Sequence, residues 1–101
     1  QEIHMLKIAD VFTVFAEGMK VYLQTDEQEF EAKKKLYEIE ELCARDFVRV
    51  SKSTLVNLKK ISSIQLGLLG STQVLLENDV SVPISRKYMK QLKQKLGIGR
   101  E

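Results

Sequence analysis

The chain of 101 residues holds one cysteine, one histidine, one proline and no long apolar run. A single cysteine, Cys43, cannot close an intramolecular disulfide, so a cytosolic compartment is the default expectation. His4 and Cys43 together fall short of the ligand set of a zinc site, so no metal is expected. Runs such as Val14-Phe15-Ala16 and Val74-Leu75-Leu76 are far shorter than the ~20 apolar residues of a membrane helix. The first residues carry no secretory pattern. With Pro83 as the only proline and five glycines, no linker composition divides the chain, and no repeat at solenoid spacing is present. Catalytic groups are equally scarce. Ser51, Ser53 and Ser85 have no histidine base nearby, since His4 is alone and remote in sequence. The carboxylates Glu29/Glu31 and Glu38/Glu40/Glu41 sit in polar stretches and read as solvated surface rather than an acid–base pair. Cys43 reads as a small buried hydrophobe. There is no phosphate-binding P-loop, and Gly97-Ile98-Gly99 follows a helix rather than a strand. The expectation is a protein that is not an enzyme and carries no cofactor and no small-molecule substrate.

What is present is an ordinary globular composition, 44% apolar, in a length suited to one domain over residues 1–101. The charge is unevenly placed. Residues 1–46 hold six Lys/Arg and eleven Asp/Glu; residues 47–101 hold ten and three. The net charge of +2 therefore hides a strongly basic second half. Such asymmetry points to a polyanionic partner. The chain opens on Gln1 rather than Met, and the expectation is a fragment of a longer protein.

Hydrophobic patterning reads mostly as strands. Ile8 to Ala16, Val21 to Leu23 and a short run at Phe30 are separated by Glu17-Gly18 and Thr25-Asp26-Glu27, which mark a hairpin. Leu36, Ile39, Leu42 and Cys43 recur at helical spacing, predicting a short amphipathic helix over 36–43. Phe47 to Val50, Leu55 to Leu58, Ile61 to Leu66, Thr72 to Glu77 and Val80 to Ile84 return to strand patterning. Asn78-Asp79 is a tight-turn candidate, and Pro83 places its strand at an edge. Ser85 is a candidate N-cap for a helix over 86–96, with Tyr88, Leu92 and Leu96 on one face and Gly97 as its stop. The count is about eight short strands and two short helices.

The basic residues cluster at strand ends. Arg49-Val50-Ser51-Lys52-Ser53-Thr54 sets two cations and three hydroxyls between strand-like runs. Lys59-Lys60 follows, and Ser85-Arg86-Lys87 leads into the last helix. Charge runs are often only a solvated face. Cations and hydroxyls in loops can equally reach phosphates and base edges, and Arg is the favoured bidentate reader of guanine.

Phe47-Val48-Arg49-Val50-Ser51-Lys52-Ser53-Thr54-Leu55-Val56-Asn57-Leu58-Lys59-Lys60-Ile61 resembles the signature of the LytTR family of bacterial DNA-binding domains. Val82-Pro83-Ile84-Ser85-Arg86-Lys87-Tyr88 is similar to that family's second signature. Leu36-Tyr37-Glu38-Ile39-Glu40-Glu41-Leu42 resembles the helix before the first. The resemblance covers essentially the whole chain, with order and spacing intact. It implies a mostly β, elongated fold of about ten short strands in three small antiparallel sheets with two short helices. It implies a transcription regulator that inserts loops into successive major grooves of double-stranded DNA. Dimers or paired molecules would occupy promoter repeats, with a receiver or other regulatory domain upstream. Carried over by position, Lys20 in Gly18-Met19-Lys20, Lys52 in Ser51-Lys52-Ser53, and Arg86 would read bases. Arg49, Ser53, Lys59 and Lys87 would meet phosphates, and Asn57 would stabilise a turn. Many relatives carry histidine where this chain has Ser51, a departure that concerns the target sequence and not the binding class.

The rival expectation is a protein-interaction or dimerisation module docking an acidic partner. Single-stranded RNA binding is disfavoured because most of the seven aromatics fall in patterned apolar runs rather than on stacking surfaces. The DNA reading carries a geometric expectation: Lys20, Lys52 and Arg86 share one edge, backed by an acidic surface from 26–31 and the outer face of the first helix.

Overall fold

The computed structural model describes residues 7–67 and 71–97. Strands β1 (Thr13–Glu17), β2 (Lys20–Gln24) and β3 (Glu29–Ala32) lead into helix α1 (Leu36–Leu42). Strands β4 (Phe47–Ser51), β5 (Thr54–Asn57), β6 (Ile61–Leu66), β7 (Thr72–Leu76) and β8 (Ser81–Pro83) precede helix α2 (Arg86–Leu96). All pairings are antiparallel, in a five-stranded sheet ordered β3-β2-β1-β5-β4 and a three-stranded sheet ordered β6-β7-β8. The mostly β class and both helices match expectation. The described residues hold eight strands in two sheets rather than about ten in three. One cause is β1, which pairs with β2 on one side and β5 on the other and so fuses two hairpins into one sheet. Ile8–Asp10 and Leu58–Lys60, at the margins of two strand-like runs, close as 3-10 turns and shorten those strands without removing either. The tight bonds from Asp10 N to Lys7 O and from Val11 N to Ile8 O define the first of these.

The strands β4 and β5 are apolar on both faces because both faces are covered. Side chains alternate along a strand. Phe47 and Leu55 enter a core with Val11, Val14, Val21 and the α1 residues Leu36 and Ile39. Val48, Val50 and Val56 enter a second core with Phe12, Val74, Leu76, Ile84 and the α2 residue Leu92. Arg49 lies by the same alternation on the α1 face. A bulge between Arg49 and Ser51 shifts the β4–β5 register at the strand end.

The turn chemistry follows the residues. Gly18 has φ 63 and starts the two-residue β1–β2 turn, where a left-handed conformation is required. Asp79 adopts φ 67 in the β7–β8 turn. Pro83 lies on β8, an edge strand, where its missing N–H breaks no ladder. Gly97, at φ 75, ends α2. Asn57 is buried; its Nδ2 donates to Val11 O at 2.9 Å and its Oδ1 accepts from Lys59 N at 2.9 Å. It therefore stabilises a turn, as its position in the first signature suggested.

Candidate nucleic-acid interface

Three loops meet at one end of the five-stranded sheet. The first is the β1–β2 turn. Glu17 pairs with Lys20 across it, and Met19 is fully exposed at its tip. The second is the β4–β5 turn at Lys52-Ser53. Antiparallel pairing of β1 with β5 sets Phe15 opposite Thr54, so this turn stands beside the first. Ala16 N donates to Ser53 O at 2.8 Å and joins the two directly. The third is the junction of β8 and α2, where Ser85 N donates to Val50 O at 3.0 Å. Glu17, Ser53, Thr54 and Val82 line one shallow depression, which brings β8 to the same place. Three elements distant in sequence thus deliver Lys20, Lys52 and Arg86 to one edge. At a strand spacing of about 4.8 Å, Lys20 and the β4–β5 turn stand roughly 10–14 Å apart.

The side chains there are mostly uncommitted. Lys52 and Arg86 are exposed, and no hydrogen bond or ion pair engages either side chain among the described residues. Lys20 stands 4.0 Å from Glu31, with both side chains about half exposed, a pair that a phosphate can displace. Ser53 is exposed, and its N–H donates to Ser51 Oγ at 3.3 Å, so Ser51 shapes the turn from within. Arg86 opens α2. Ser85 takes the N-cap position there with no side-chain cap bond; Tyr88 N donates to Ser85 O at 3.0 Å, which leaves the Arg86 and Lys87 N–H groups to other partners. Lys87 is exposed, its Nζ 5.4 Å from the Tyr88 ring centre.

Two of the expected phosphate partners are placed differently. Lys59 follows β5 at its far end, with Nζ 3.9 Å from Asp46 Oδ1. It lies at the opposite end of β4 from Ser51. Arg49 reaches the right end of the sheet but is held: its Nε and Nη2 donate to Glu40 Oε1 at 3.2 and 2.7 Å, and its Nη1 donates to Lys52 O. The acidic surface also departs from a uniform back. Because β3 runs antiparallel to β2, Glu31 returns to the Lys20 end. Glu40 faces Arg49, and Glu38 Oε1 accepts from Lys35 N at 2.8 Å as part of the α1 cap.

Two candidates at this end escaped the sequence reading. Lys33 directly follows Ala32, the register partner of Val21, so it stands beside Lys20 at the sheet end. The run Lys33-Lys34-Lys35 was visible but lay in the acidic half. Met19 offers an apolar tip of the kind that meets a thymine methyl. Cys43 is half-buried, and burial, then the nearby Asp46, pushes its thiol above the usual range, the direction that disfavours the thiolate.

A family model described as the LytTr DNA-binding domain matches residues 1–97. The chain belongs to the LytTR family. An uncharacterised HTH-type transcriptional regulator of Staphylococcus aureus (strain NCTC 8325) is 34% identical to this LytTR chain over 98 residues, covering 97% of the chain and 67% of the relative. The counterpart from the bovine strain RF122 is 35% identical over the same length. Among solved structures, the LytTr DNA-binding domain of a Bacillus cereus methyl-accepting/DNA response regulator superposes with a TM-score of 0.83 at 26% identity, covering 92% of this chain and 86% of that one. In the present LytTR chain, five strands separate α1 from α2, so the described residues form no helix-turn-helix unit. No helix among them is long and apolar enough to cross a membrane.

Proposed function

We propose that this LytTR domain is the DNA-binding part of a bacterial transcription regulator that reads double-stranded DNA with loops in successive major grooves. The observation that carries the reading is the convergence of the Lys20, Lys52 and Arg86 loops on one sheet end. Arg86 and Lys52, with uncommitted side chains, are the base readers. Lys20 joins them on releasing Glu31. Ser53, Lys87 and the first two N–H groups of α2, those of Arg86 and Lys87, meet phosphates, as helix N-termini do. Lys33 extends the phosphate contacts on the β3 side. Two copies bind adjacent repeats, and an upstream domain supplies the regulatory input.

The test is enrichment of duplexes from a random library, then binding of the enriched and scrambled sequences across a salt series. The expected result is a sequence preference that persists at moderate salt. Affinity should fall steeply as salt rises, by about 0.9 log units per neutralised phosphate per log unit of salt. Enrichment of no sequence, with equal affinity for all duplexes, would refute specific reading and favour the protein-docking alternative.

A further inference from the structure

We propose that Arg49 is a positioning residue that couples helix α1 to the Lys52 reading loop, rather than a ligand of DNA. The inference rests on the DNA-reading role of that loop. The guanidinium bridges two elements. On one side, Nε and Nη2 converge on Glu40 Oε1 at 3.2 and 2.7 Å; on the other, Nη1 donates to the Lys52 carbonyl. The Arg49 side chain is only 15% exposed and that of Glu40 31%, so the pair is partly shielded from solvent. A planar guanidinium suits this work because its donors point in fixed directions. The loop needs such a brace. Lys52 follows the bulge at Arg49/Ser51 and lies outside the strand ladder. The Ser51–Thr54 pair closes the two-residue turn from below, and Ser53 is held by its N–H bond to Ser51 Oγ and by the bond from Ala16 N to its carbonyl, but none of these engages the Lys52 carbonyl. Arg49 is the restraint on the Lys52 peptide itself, and Glu40 fixes Arg49. The orientation of a base-reading lysine thus depends on an acid in a helix that stands outside the loops.

Glu40→Gln separates the two roles, because they predict opposite signs. Removing an acid from a DNA-binding edge should raise affinity if Arg49 is a phosphate ligand that Glu40 restrains. The brace predicts a loss. Two measurements are made on the intact chain, with melting checked for each variant. In the free protein, amide relaxation and exchange at residues 51–53 should show a loosened turn in Glu40→Gln. On an enriched duplex, affinity should fall roughly tenfold, equivalent to about 1.4 kcal/mol, while binding to scrambled duplex is kept. Arg49→Lys, which retains the cation, should fall in the same direction. Tighter binding by Glu40→Gln with a salt slope steeper by about one unit would overturn the proposal. So would unchanged amides at residues 51–53, whatever the duplex result. If the wild-type chain shows no sequence preference, the DNA reading fails instead, and the amide measurement still decides the brace.

Discussion

Arg86 and Lys59 are both exposed cations, yet they stand at opposite ends of β4, one beside Val50 and the other beside Asp46. Position, not charge, separates their expected roles. Arg86→Ala should weaken binding to an enriched duplex by roughly 1–3 kcal/mol and relax the preference at one base pair; equal losses on scrambled duplex would count against base reading. Lys59→Ala should leave the salt slope within about half a unit of wild type, whereas loss of a phosphate contact removes about one. Asn57 differs in kind, being 1% exposed with both ends of its amide bonded. Asn57→Ala should lower stability by about 2 kcal/mol in denaturant unfolding by leaving the Val11 carbonyl and Lys59 amide unmatched. The role of Asn57 was legible from its place in the signature. That of Arg49 was not, because its partner Glu40 belongs to a different element and only packing of α1 on the β4 face brings them together.

The strands, turns and helices were mostly readable because their signals are local. Period-two runs bounded by Gly18 and Asp79 marked hairpins, and both residues take the positive φ that such turns need. Gly97 stopped α2 where expected. The failures lie where local propensity met a competing backbone bond. Ile8 to Asp10 reads as the start of a strand but closes as a 3-10 turn. Ser85 occupies the cap position without its hydroxyl bonding there. Gly18→Val should cost roughly 1–2 kcal/mol, since a branched side chain is forced into the left-handed region. It should also blur the amide resonances of Met19 and Lys20. Leu92, fully buried between α2 and the sheets, sets the docking of that helix. Leu92→Ala should destabilise by about 2–5 kcal/mol. It should also weaken DNA binding through displaced Arg86.

For the molecule as a whole, the charge split along the chain resolves into an edge rather than two halves. Chain reversal at β3 carries Glu31 and Lys33 to the Lys20 end, so acids and bases intermix there. The place of Lys33 beside Lys20 follows from sheet order, and the Glu40–Arg49 pair from the packing of α1 on β4; no local pattern encodes either. The DNA-reading surface we propose is one end of the sheet, formed by three loops distant in sequence. It is tested most directly by titrating the isotope-labelled chain with an enriched duplex and mapping the amide shifts. The largest changes are expected at residues 18–20, 51–53 and 85–87, with little at Lys59-Lys60. Changes centred on residues 58–60 or on the outer face of α1, with the three loops unmoved, would contradict it.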